Sequence, residues 1–281
     1  MGGEGTRRLT APWRCPTCGG RLELAEGARA WVCSRRHTFD VAREGYVNLL
    51  SAQRRRSREP GDPREMIAAR RRFLASGAYD PLTSAVATAV AEKRPAVALD
   101  VGCGEGRHTR HLRAPLVLGI DVSKAAVAAA AKTHPLGWYA VASAAELPLG
   151  DASADIALNV FGPVIDGELA RVVRQGGYAV VAHPGPGHLS EVRGLVYADA
   201  RPHQVKPPLR NARDTFAEID RTRLVFPVGI TDLQQLEDLF AMTPYRWHAD
   251  QGIHERIAEA FSQGFSTSAD ILVTTYRRGD R

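Results

Sequence analysis

Two groups of residues in this chain could do chemistry by their type and spacing. The first is Cys15-Pro-Thr-Cys18 together with Cys33-Ser-Arg-Arg-His37. Three thiolates and one imidazole close the tetrahedral shell of a structural zinc site, with each close pair carried on a turn. The segment between them alternates like a small hairpin, with Leu22, Leu24 and Trp31 apolar. A module this short buries too little surface to fold unaided, so one bound metal is expected to stabilise it. The second group is Ala98-Leu-Asp-Val-Gly-Cys-Gly-Glu-Gly106, followed by Leu116-Val-Leu-Gly-Ile-Asp121. An apolar strand that stops in alternating glycines lets a ligand touch bare backbone. A carboxylate at the tip of the next strand can grip ribose hydroxyls. The pair predicts a nucleoside-type cofactor, with Asp100, Gly102, Gly104 and Asp121 around it. Cys103, inside the loop, reads as packing.

The elements that must hold these groups follow from the rest of the chain. A length of 281 residues suits one large domain and a small one. The composition is 44% hydrophobic and 24% charged, as in globular proteins, and the net charge of +6 admits an anionic partner. Three of the four cysteines crowd into the first 33 residues, which is not a disulfide framework. No segment reads as a signal peptide or a membrane span, so a cytoplasmic setting without membrane contact is expected.

After the cysteine module, residues 38–50 read as a strand, a turn and a short strand. Arg54, Arg55, Arg56 and Arg58 then form a basic loop closed by a Pro-Gly turn. Pro63 starts a helix with Asp62 as its cap, one face apolar and one carrying Arg70, Arg71 and Arg72. Gly77 ends it, and Tyr79-Asp80-Pro81 starts another that runs to about Lys93. Strands are predicted at 96–101, 116–121, 138–142, 155–160, 177–183, about 222–227 and 269–276. Helices are predicted at 106–113, 124–133, 167–174, 187–198, 211–218 and 232–241. This alternation is an α/β fold with a mostly parallel sheet, whose last two strands make an antiparallel edge pair. Arg201 to Pro208 is basic and proline-rich, an exposed loop or lid.

The glycine spacing decides the cofactor. An acid followed by Gly102-x-Gly104-x-Gly106 resembles the first motif of the class I S-adenosylmethionine methyltransferases, not the G-x-G-x-x-G of a dinucleotide site. Ala142-Ser143-Ala144-Ala145-Glu146 looks like the loop that flanks adenine. Asp155-Ile-Ala-Leu-Asn-Val-Phe161 looks like the strand whose tip faces the methyl donor. These pieces predict a Rossmann-like, mostly parallel seven-stranded sheet with a small N-terminal zinc-binding domain.

With these strings in view, the chain resembles the RlmA-type 23S ribosomal RNA guanine-N1 methyltransferases, a family that includes a macrolide-resistance enzyme. The resemblance runs from Cys15 to about Tyr276. It rests on the cysteine module, on His37-Thr-Phe-Asp-Val-Ala-Arg-Glu-Gly-Tyr-Val-Asn-Leu-Leu50, and on Arg70-Arg-Arg-Phe-Leu with Gly77-Ala-Tyr79. It rests further on Pro184-Gly-Pro-Gly-His-Leu189 and Met242-Thr-Pro-Tyr-Arg-Trp247. The resemblance implies methylation of N1 of one guanosine in a hairpin of 23S ribosomal RNA, in a homodimer, with macrolide-type resistance as a further role. It implies a zinc-binding RNA-recognition domain over 1–47 and a methyltransferase domain over 48–281. It places one zinc on Cys15, Cys18, Cys33 and His37, and cofactor contacts on Tyr79, Gly104, Glu105 and His188. Our reading of the loops adds Asp100, Gly102, Asp121 and Ser143.

Guanine N1 bears a proton that must leave, so a base or a carbonyl acceptor is needed. Asn159 and Asp155 are the sequence candidates, and Phe161 and Trp247 are candidate stacking platforms. Arg54, Arg55, Arg56, Arg58, Arg70, Arg71 and Arg72 are candidates for phosphate contact. Two other readings compete: a small-molecule methyltransferase of an antibiotic pathway, in which the zinc module would have no role, and a non-catalytic RNA-binding module with a vestigial fold.

Overall fold

A computed structural model describes residues 11–27, 29–51, 61–197, 202 and 204–280. Arg54, Arg55, Arg56 and Arg58 lie outside the described residues. The first sheet has three short antiparallel strands, β1 (Leu22–Leu24), β2 (Ala30–Cys33) and β3 (Thr38–Asp40). The next strand, β4 (Tyr46–Asn48), leaves that sheet for the large one.

The large sheet is built on five strands whose central residues are apolar, as strands covered on both faces must be. They are β5 (Val97–Val101), β6 (Leu116–Asp121), β7 (Trp138–Val141), β8 (Ala154–Val160) and β9 (Val173–Pro184). Two long strands, β10 (Phe216–Val228) and β11 (Thr267–Arg278), complete it. The strand order is β10-β11-β9-β8-β5-β6-β7-β4, with β11 antiparallel to both neighbours and the other pairs parallel. The expected edge pair is present. An eighth strand is added: β4 lies along β7, with Val47 beside Ala140, and spans the expected division at residue 47.

Among the described residues, seven α-helices connect these strands: α1 (Arg64–Ala75), α2 (Asp80–Ala91), α3 (Lys124–Thr133), α4 (Asp166–Val172), α5 (Ser190–Gly194), α6 (Leu233–Ala241) and α7 (Ile253–Ser262). One sheet face packs on α2, α6 and α7 through Leu82, Val86, Leu236, Leu239 and Ile257. The other face shares a core with the zinc module: Trp13, Leu22 and Trp31 are buried in one cluster with Leu99, Leu118 and Leu149. Trp31 meets Trp138 of β7 edge to face, with ring centroids 5.5 Å apart. The Arg14 N–H donates to the Pro148 carbonyl at 2.8 Å, next to a bridge between Trp13 and Leu149.

Several expected helices are shorter than the sequence suggested. Residues 106–113 hold only a 3-10 turn at Thr109–His111. Three left-handed glycines occupy the start of that connection, and Pro115 closes it. The helix expected at 187–198 is the short α5, stopped at Gly194. The helix expected at 211–218 is a 3-10 turn, Arg210–Ala212, because Phe216 already begins β10. Helix α4 gives way to β9 at Val173. Helix α7 was not anticipated, although Ile253, Ile257 and Phe261 recur at helical spacing.

Candidate functional site

The zinc residues converge from two turns. Cys15 and Cys18 flank the turn before β1, while Cys33 ends β2 and His37 precedes β3. Cys15 Sγ lies 3.5 Å from His37 Nδ1, Cys33 Sγ 3.4 Å from the same nitrogen, and Cys18 Sγ 3.7 Å from Cys33 Sγ. All four ligand atoms fall within 4.8 Å of one another. A tetrahedron with bonds of about 2.3 Å to sulfur and about 2.0 Å to nitrogen has edges of about 3.8 and 3.5 Å, so these distances fit one zinc ion. Burial raises the Cys33 thiol, but the backbone N–H groups of His37 and Arg35 more than reverse this, down to about 6. That favours the thiolate a metal needs.

The glycine loop follows β5 at the carboxyl ends of the parallel strands. Gly102, Gly104 and Gly106 have φ of +80°, +54° and +80°, where other residues are strained. A side chain on Gly106 would sit 2.9 Å from the Ala130 Cβ, which ties the loop down on α3. A side chain on Gly104 would meet nothing within 4 Å, so there the backbone faces open space. Asp121 ends β6 and accepts from Gly104 N–H at 3.0 Å and Ser123 N–H at 2.8 Å. Asp100 is buried beneath the loop, accepting from the Thr109 hydroxyl at 2.6 Å. Burial, helped by the charges of Asp121 and Glu105, lifts its carboxyl to about 7. Burial also raises Glu105, while Arg70 and Arg71 of α1 pull it back down. Ser143 stands past the tip of β7, its hydroxyl accepting from Ala145 N–H.

Two aromatic residues stand at the other side. Tyr79 precedes α2 and packs edge to face on Phe73, His188 and Phe226. Its hydroxyl is buried without a hydrogen-bond partner, and burial raises its pKa. The His188 ring packs on Phe161 at 5.5 Å, and its Nδ1 accepts from Asp270 N–H at 3.3 Å. Asn159, the penultimate residue of β8, is only 2% exposed. Its amide N–H groups go to the Val101 carbonyl at 2.9 Å and the Pro163 carbonyl at 3.3 Å, while its Oδ1 is buried without a partner. The buried Arg193 of α5 likewise has Nε and Nη1 without partners. The orphaned Asn159 Oδ1, held at the Val101 carbonyl just before the bare glycine backbone, fits a bound S-adenosylmethionine.

Two candidates are corrected by their positions. Asp155 lies at the amino end of β8, opposite the glycine loop. It accepts from the N–H groups of Ala96 and Val97 at 2.8 Å each and pairs with Arg174, so it latches strands together. Arg72 donates from Nε and Nη2 to the two carboxylate oxygens of Asp238 of α6, at 2.8 and 2.6 Å, and serves helix packing. Arg70 pairs with Asp62 at 2.6 Å, and Arg71 lines a cavity of about 790 Å³ with Asp62, Tyr46, Asn48 and Lys124. Phe161 and Trp247 are both exposed, and Arg246 lies over the Trp247 ring at 4.9 Å. Among the described residues, no helix is long and apolar enough to cross a membrane.

Residues 13–58 match the model of the RlmA N-terminal zinc ribbon, and residues 99–181 match a methyltransferase domain. A 23S rRNA (guanine(748)-N1)-methyltransferase of Streptomyces fradiae is 37% identical, over 88% of this chain and 90% of its own length. A protein of Micromonospora griseorubida, provisionally named a 23S rRNA (guanine-N1)-methyltransferase, is 35% identical over 94% of this chain and 96% of its own. A similarly named protein of Bacillus subtilis is 30% identical over 93% of this chain and 96% of its own.

Proposed function

Because the chain belongs to the family of 23S rRNA (guanine-N1)-methyltransferases, we propose that it moves a methyl group from S-adenosylmethionine to N1 of one guanosine in a hairpin of that RNA. The observation that carries the reading is the sharing of one core by two sites: a Cys3His zinc set and the strand β5 that runs into the glycine loop. A zinc ribbon fused to the sheet suits a large substrate that must be held at a distance from the reacting carbon. No observation favours the small-molecule reading.

S-adenosylmethionine, when bound, supplies a methyl carbon already activated by its sulfonium. The chain's own work is to orient and exclude. The backbone at Gly102 and Gly104 and the carboxylate of Asp121 hold the nucleoside end, with Ser143 beside the base. Glu105, Tyr79 and His188 border the other end, and Asp100 supports the loop from beneath. A loop guanine turned out of its stack enters above Asn159, whose orphaned Oδ1 accepts from its Watson–Crick edge. Holding N1 in line with the breaking bond accounts for most of the rate. Arg70, Arg71 and the arginines at 54, 55, 56 and 58 contact phosphate, on grounds of charge, so binding weakens as salt rises. A cytoplasmic homodimer belongs to this reading, as does a role in macrolide resistance.

The test is methyl transfer to 23S rRNA from cells lacking this gene. Labelled S-adenosylmethionine should mark one hairpin, and primer extension should stop at one guanosine there. RNA that takes up no label sinks the reading.

A further inference from the structure

A cavity of about 310 Å³ opens at the carboxyl ends of β8 and β9. Asn159, Gly162, His183, Pro184 and Lys206 are among its lining residues. Asn159 pairs with Val181 across the two strands, and His183 lies two residues further along β9, so both side chains stand on one sheet face. The cavity therefore adjoins the strand tip where the orphaned Asn159 Oδ1 sits. His183 Nδ1 lies 3.3 Å from the Pro184 carbonyl. A carbonyl can only accept, so Nδ1 carries the ring proton and Nε2 keeps its lone pair.

The sequence offered no convincing base for the guanine N1 proton, and this geometry supplies one. We infer that His183 is the base of the methyl transfer, taking the N1 proton on Nε2 while Asn159 Oδ1 accepts from the neighbouring amino group. The inference rests on the proposed guanine-N1 reaction. The Watson–Crick edge of guanine presents two donors beside one carbonyl oxygen. Two acceptors, Nε2 and Oδ1, match the donors. Lys206, exposed at the rim, is a cation for the oxygen that gains charge as N1 is deprotonated. In the step, the N1–methyl bond forms and the carbon–sulfur bond breaks. The sulfonium becomes a neutral thioether, and the N1 proton passes to Nε2. The imidazolium then releases it to water.

Among the described residues, the charged groups on this face are Arg221 of β10, paired with Glu218, Arg223 of β10, Asp270 of β11 held by Arg223, and Lys206. Burial, with the charge of Arg221, lowers the His183 pKa, so the ring is neutral and ready to accept at neutral pH.

Single-turnover methyl transfer to the undermodified RNA tests this. The wild-type rate should fall on the acid side, with its midpoint below the ordinary histidine value of 6.5. His183→Gln should lower the rate by about a hundredfold or more and abolish that acid limb. Binding of S-adenosylhomocysteine, measured by calorimetry, should be kept. A wild-type rate flat from about pH 5 to 8 overturns the inference without any variant. A folded His183→Gln protein with the wild-type rate and acid limb overturns it too. Wild-type protein that makes no N1 methylation at all would instead overturn the proposed function.

Discussion

Tyr79→Phe separates two effects of a single oxygen atom. Tyr79 is 2% exposed, and its hydroxyl has no hydrogen-bond partner. An unpaired buried polar group costs roughly 1–3 kcal/mol. Deleting it should therefore stabilise the ligand-free protein by about 1 kcal/mol or more. The ring keeps its edge contacts with Phe73 at 5.9 Å and Phe226 at 5.7 Å, so packing is not lost. The proposed site has this hydroxyl completed by a polar group of the cofactor. A net hydrogen bond of about 0.5–1.5 kcal/mol then disappears, which is a ~2- to 13-fold weaker Kd. Calorimetry with S-adenosylhomocysteine reads the second effect, and urea midpoints of the ligand-free protein read the first. The two should move in opposite directions. Unchanged affinity would remove Tyr79 from the cofactor site. A lower midpoint in the variant would refute the claim that its hydroxyl is unpaired in the fold.

Cys33→Ala should reduce bound zinc from one per chain to near zero by atomic absorption, because three ligands remain of four. Its thermal midpoint should fall for the whole protein, and a transition confined to the first 50 residues would contradict the shared core. Asp100→Asn tests the buried carboxyl. Its folded value of about 7 stands above its ordinary 3.8, so its contribution to stability is full below 3.8 and is lost as pH rises through 7. The variant should match wild type in urea near pH 4 and exceed it increasingly towards pH 8, and parallel midpoint curves would rule this out.

The parts legible in the sequence were those whose signal is local. The cysteine and histidine spacing, the alternating glycines and the apolar strands each declare themselves within a dozen residues. Where partners are distant in the chain, the reading failed. Asp155 looked like an acid at a strand near the methyl donor, but a strand has two ends, and only sheet order shows which one it occupies. Tyr46–Asn48 reads as a short strand in either sheet, and its place beside β7 depends on residues 93 positions away. His183 carries no local signature. Its meaning comes from a cavity formed with Asn159 and a later loop.

The place of β4 also bears on solubility. A sheet edge with unpaired backbone groups invites pairing with another chain. The far edge, β10, is guarded by the exposed charges of Glu218, Asp220, Arg221 and Arg223. The near edge would be β7, Trp138-Tyr-Ala-Val141, an apolar sequence well suited to aggregation. Three residues of β4 cover it, joined to the last zinc ligand through β3 and a single turn. Loss of the metal should loosen that cover and so bare β7. One edge of the sheet is thus protected by charge, and the other by a metal site folded against it.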